Sequence, residues 1–193
     1  MTVSERDRPT RRTPHLPGDA DMWVMILGDL FFFGCYFVTY MVFRARSPER
    51  FSAAQQHLHI GIGVTNTVVL LTSSMFVALA VIAVRESEIR RARRLILAGA
   101  ACGVLFTALK AYEWHREISA GFTVSDEFFG FYYVLTGVHL AHVLLGLLIL
   151  GIALRDLRDT RRQRIGLMEQ AASFWHMVDL LWVVIFAIVY LMR

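Results

Sequence analysis

A single lysine, Lys110, occurs in the 193 residues, and the remaining positive charge rests on arginine. No long uninterrupted basic run is present, so the formal charge of +4 does not mark a surface for nucleic acid. The two cysteines, Cys35 and Cys102, lie in apolar stretches without a CxxC pair. They carry no signal about redox compartment or metal binding. A phosphate-binding glycine loop, a nucleophile elbow and a paired general acid and base are all missing. That elimination leaves a polypeptide unable to catalyse a redox or hydrolytic reaction by itself. The opening MTVSERDRPTRRTPHLPGD is polar and basic and lacks the short apolar core of a cleavable signal. Residues 1–21 read as a basic, flexible tail ahead of an uncleaved first span.

What is abundant is apolar side chain. Hydrophobic residues make up 56% of the chain and mean hydropathy is +0.49. A soluble domain of this length needs a polar face on each helix, which this composition does not supply. Five stretches reach the roughly 20 residues that cross a bilayer: 22–43, 60–84, 95–112, 128–154 and 174–192. The fold class is therefore all-α, a polytopic five-helix membrane bundle occupying residues 22–193. Arginines gather in the tail (Arg6, Arg8, Arg11, Arg12), in the second loop (Arg85, Arg90, Arg91, Arg93, Arg94) and in the fourth (Arg155, Arg158, Arg161, Arg162, Arg164). These segments share one side of a five-span chain, so the positive-inside rule puts the N-terminus in the cytoplasm and the C-terminus outside. Acids in the same loops make them ordinary solvated, lipid-facing connections.

Ionisable residues inside the spans are expensive and need partners. At a rise of 1.5 Å per residue, Asp29 lies about 10 Å inside the first span and Asp179 about 8 Å inside the last. His176 and Asp179 are three apart on one helix face, which predicts a local pair. Lys110 and Glu113 share the same spacing at the other end of the bundle. They form either an ion pair or a lysine that snorkels outwards and leaves the glutamate in water. Asn66, Thr67, Thr72, Ser73 and Ser74 read as packing glue between helices. His139 and His142 also share a face, but no equal-depth histidine, thiolate or carboxylate partner can be assembled for a haem or metal. They read as interhelical hydrogen-bonding residues, with Gly137 and Gly146 allowing close backbone approach. His57 and His59, in QQHLHIG, are treated as exposed loop, since two ligands there are a weak metal signal.

Several of these segments together resemble the subunit III family of haem–copper oxidases. FWHMVDLLW is similar to that family's last helix, with His176, Asp179 and Trp182 on its polar and aromatic positions. LGDLFFFGCYF resembles its acidic-then-aromatic helix, with Asp29 in place of a buried glutamate. TNTVVLLTSS, KAYEWH and TGVHLAHVLLG are similar to three further segments, matching Asn66, Glu113, and His139 with His142. Lys110 departs from the glutamine common there.

The resemblance implies a short, five-helix, cofactor-free subunit in a bacterial plasma membrane. Its partners would be catalytic subunit I, which carries haem and copper, and subunit II. It further implies that the first two spans lean away from the other three around bound phospholipid. Asp29 would lie near that cleft, supporting proton uptake and the durability of subunit I. An accessory subunit of a bacterial nitric-oxide reductase is an open alternative within the same resemblance. A small transporter or proton channel is the alternative of another class, opposed by the lack of an inverted repeat or broken helix.

Overall fold

Backbone amides find no water inside a bilayer, so long apolar runs close their hydrogen bonds internally as helices. The computed structural model describes residues 20–157 and 165–192. Its helices are α1 (Ala20–Arg46), α2 (Pro48–Gln55), α3 (Ile60–Arg85), α4 (Ile89–Ser119), α5 (Glu127–Asp156) and α6 (Ile165–Phe186), the last closing in a π-helical turn, Ala187–Leu191. Five of these are long and apolar enough to cross a membrane. The predicted tail, up to residue 19, and Arg158, Arg161, Arg162 and Arg164 of the fourth loop lie outside the described residues.

Two spans run well past their apolar cores. α4 begins at Ile89 rather than 95 and ends at Ser119 rather than 112, while α6 begins at Ile165 rather than 174. Arginine and glutamate are good helix formers, so hydropathy reports the apolar width and not the hydrogen-bonded length. The segment after α1 differs from the predicted loop in kind. Pro48 sits at the start of α2, where its fixed φ suits a helix and its missing N–H costs nothing. Phe51 and Gln55, one turn apart, are buried, as is Leu58. His57 and His59 remain exposed, with the His57 ring resting 4.6 Å from that of Phe122.

The core is built around α6, which contacts α1, α3 and α5. Trp175 explains how α6 gets so close. A Cβ on Gly103 of α4 would stand 2.7 Å from the indole, and one on Gly146 of α5 would also stand 2.7 Å away. Only glycine admits the ring at both places. The indole Nε1 donates to Ser73 Oγ at 3.1 Å, and that hydroxyl donates to the Gly99 carbonyl at 2.8 Å. One tryptophan thus ties α3, α4, α5 and α6 together.

α3 packs along α4 and α6, so the second span does not lean away as the resemblance implied. Only α1 is thinly held. Its buried apolar residues, Ile26, Phe33 and Tyr40, recur every seven positions and form one narrow seam. Phe31, Phe32 and Val38 are exposed on its outer side.

The π turn gives α2 its purpose. The Met192 amide bonds back five residues to the Ala187 carbonyl at 3.1 Å, which leaves neighbouring carbonyls without helical partners. Gln55 Nε2 donates to Val189 O at 3.0 Å and to Ile188 O at 3.3 Å. Arg44 holds the other side of that amide, donating to Gln55 Oε1 at 3.0 Å.

Candidate functional site

Near the π turn, four side chains from three elements close a polar network inside apolar walls. Lys110 and Glu113 of α4 are each 0% exposed. Lys110 Nζ donates to Glu113 Oε2 at 2.9 Å, Tyr190 Oη at 2.8 Å and Tyr132 Oη at 3.0 Å. An ammonium has three donors, and all three are used. Tyr190 Oη then donates to Glu113 Oε1 at 2.6 Å, so both carboxylate oxygens are engaged as well. The lysine also lies 5.2 Å from the Trp182 ring centre, and the negative face of the ring favours the cation. Of the two readings left open by the sequence, the ion pair is the one formed.

Asp29 of α1 faces His142 of α5, with Oδ1 3.4 Å from Nε2. This corrects the expectation that no carboxylate lies at the level of the mid-membrane histidines. His142 Nδ1 is 2.8 Å from the Val138 carbonyl of its own helix. A carbonyl only accepts, so Nδ1 carries a hydrogen. Nε2 and a carboxylate would then meet lone pair to lone pair unless one further proton lies between them. Either partner is chemically able to carry such a proton. Phe33 and Phe174 wall it, their ring centres 5.5 Å and 6.5 Å from the imidazole.

The predicted His176–Asp179 pair is not formed. His176 Nδ1 instead meets Ser74 Oγ on α3 at 2.6 Å. Both Asp179 carboxyl oxygens are buried without a well-formed hydrogen bond among the described residues, the Ser74 hydroxyl being the side chain that bears on them. Spacing of three places the residues on one face, but α3 supplies a hydroxyl directly opposite the ring. His139 also departs from expectation: it is fully buried, and neither ring nitrogen has a partner among the described residues. Its neighbours are aromatic, Trp182 at 5.2 Å and Phe106 at 5.8 Å. Asn66 is likewise buried with its amide unpaired. Trp182 does make an interhelical bond, from Nε1 to Thr67 Oγ1 at 3.1 Å. The packing-glue reading holds for Thr67, Ser73 and Ser74, which bond across helices.

Sequence reasoning missed Tyr132, Tyr190, Gln55 and the clamping role of Trp175. A tyrosine in a span that matches the depth of a buried lysine is a readable signal. Gln55 offered none. Among the described residues, no three histidine, cysteine, aspartate or glutamate side chains come together as a metal cluster. These sites present a fully engaged ion pair within the core and a histidine–carboxylate contact at the α1 seam. A shallow groove of about 650 Å³, lined by Leu30, Phe31, Gly34, Cys35, Val38 and Thr39, runs along the outer side of α1.

A family model described as cytochrome c oxidase subunit III matches residues 19–193. The chain belongs to the cytochrome c oxidase subunit III family. It is a subunit III of a haem–copper terminal oxidase and a multi-pass membrane protein, and membership implies association with other oxidase subunits. The chain is similar to cytochrome c oxidase subunit 3 of Thermostichus vulcanus, at 27% identity over 88% of this chain and 84% of that protein. Its likeness to the subunit 3 of a Synechocystis species is 32% identity over 81% of this chain and 67% of that one. A third relative, from Aeropyrum pernix, is named haem–copper oxidase subunit I+III. It is 27% identical over 88% of this chain, which spans 22% of that longer protein.

Proposed function

We propose that this subunit III packs against a catalytic subunit I, which holds the haems and copper, with subunit II in the same complex. Its Asp29–His142 pair would hold a proton close to that partner's uptake path. The observation that carries the reading is the 3.4 Å contact between Asp29 and His142. It stands at the thinly packed α1 seam, where both side chains keep partial exposure (27% and 19%). A proton-holding pair sealed in the core has no route to exchange; this one has. The Aeropyrum pernix relative, whose name joins subunits I and III in one chain, supports their adjacency. The α1 groove is where acyl chains of bound phospholipid would lie. The basic second loop supports a cytoplasmic N-terminus in a bacterial plasma membrane.

Asp29→Asn keeps the shape and removes the carboxyl that shares the proton. The purified oxidase carrying it is expected to retain this subunit and its initial turnover. Proton uptake should slow, and activity should decay sooner under sustained turnover. Uptake and lifetime equal to the unmodified complex would overturn the assignment, and so would loss of the subunit, which makes Asp29 structural.

A further inference from the structure

The α3–α4 end of the bundle carries a basic cluster that the proton-holding pair does not use. Arg85 is spent on Glu169 at 2.8 Å, and Arg91 on Glu88 at 3.0 Å. Arg90, Arg93 and Arg94 have no acidic partner among the described residues. Positions 90, 93, 94 and 97 fall at i, i+3, i+4 and i+7, so the three arginines and Leu97 form one stripe of α4. Two adjoining hollows follow it. One, of about 550 Å³, is lined by Ser87, Glu88, Ile89, Arg90, Arg91 and Arg94. The other, of about 230 Å³, is lined by Arg90, Arg93, Arg94 and Leu97. Arg93 Nε is shielded from solvent with no acceptor, although a guanidinium N–H so placed needs one.

The turn before α4 adds to this. Ser87 takes a positive φ of 61°, and no side chain caps the first turn of α4. The Ile89 amide bonds back to Ser87 O and the Ala92 amide to Glu88 O, each at 3.0 Å, which leaves the Arg90 and Arg91 amides at the positive end of the helix dipole. Below the arginines the same face turns apolar. Leu97, Val104 and Leu105 are exposed, with exposed Ala101 between them. A charged head followed by a narrow apolar track suits an amphiphile.

We propose that this stripe of α4 binds one phospholipid with an anionic headgroup. Its phosphate would lie among Arg90, Arg93 and Arg94, and one acyl chain would run over Ala101 between Leu97 and Val104. Charge complementarity selects the occupant: among the described residues the stripe offers three guanidiniums without an acidic partner, and Glu86 is the one nearby acid in the turn without an ion-pair partner. A guanidinium fork matches phosphate oxygens in pairs. The site does not depend on the role of Asp29 and lies on a different helix.

The test is native mass spectrometry of the full-length chain in a neutral detergent, offered equal amounts of phosphatidylglycerol and phosphatidylcholine. One phosphatidylglycerol should be retained with a preference of about tenfold, given what basic residues contribute beside anionic lipid. R90Q/R93Q/R94Q should bring the two lipids to parity, while R46Q/R50Q, at the other end of the bundle, should keep the preference. Equal retention by the unmodified chain overturns the proposal, as does undiminished preference in the triple variant. Displacement by excess inorganic phosphate would make it a free-anion site instead. A stripe found empty of lipid in the purified oxidase, against an acidic partner segment, would assign it to protein. A melting temperature of the triple variant matching the unmodified chain in phosphatidylcholine shows that the lost preference is not lost folding.

Discussion

Lys110→Met is expected to cost the bundle about 3–5 kcal/mol, because it strands the buried Glu113 carboxylate without its counter-charge. The size follows from the network's completeness. Every Lys110 donor and both Glu113 oxygens are satisfied, at sites with no solvent to take over. Tyr190 loses an acceptor role as well, and it lies in the π turn that ends α6. The double variant K110M/E113M should recover most of the loss, since replacing a buried ion pair by apolar residues of similar volume is often neutral. Denaturant unfolding of the purified chain in detergent measures both. A loss below about 1 kcal/mol in the single variant is the scale of an exposed pair, and it would show that the charges are not sealed as described.

Asp179→Leu is expected to go the other way, raising stability by about 1–3 kcal/mol. Sequence spacing alone argues for a loss, because His176 three residues earlier looks like the partner of Asp179. The geometry reverses that sign. His176 is already bonded to Ser74, and among the described residues that same Ser74 hydroxyl is the one side chain near enough to act on the buried Asp179 carboxyl, whose oxygens make no well-formed hydrogen bond. Removing an unsatisfied polar group recovers its desolvation cost. Thermal unfolding of the variant beside His176→Leu separates the cases. A lowered midpoint for Asp179→Leu would mean that the carboxyl has a partner after all. His176→Leu should lower it, by leaving Ser74 without its ring nitrogen.

These reversals mark where the sequence stops being legible. The five spans are readable because a bilayer imposes an apolar length on each helix. The Lys110–Glu113 contact is readable because three residues bring two side chains together on any helix. Tyr132 and Tyr190 complete that network from 22 and 80 positions away, and no local spacing reports such distances. Depth arithmetic treated helices as upright and of hydropathy-defined length. α6 in fact begins at Ile165, and the His142 ring stacks on that of Phe174, so a turn's error hid the Asp29 contact. α2 escaped notice because a short helix with two buried residues, Phe51 and Gln55, shows no sustained period. Trp175 was visible as an aromatic, but its glycine clamp is spread over α4 and α5.

One measurement bears most directly on whether these buried polar side chains shape a bundle beside a redox partner and bind no redox centre of their own. Purify the oxidase through a tag on this chain, release the chain with a stronger detergent, and determine haem and copper in each fraction. The haem and copper should all stay with the large subunits, leaving this chain colourless. Stoichiometric haem or copper travelling with the released chain would contradict the account.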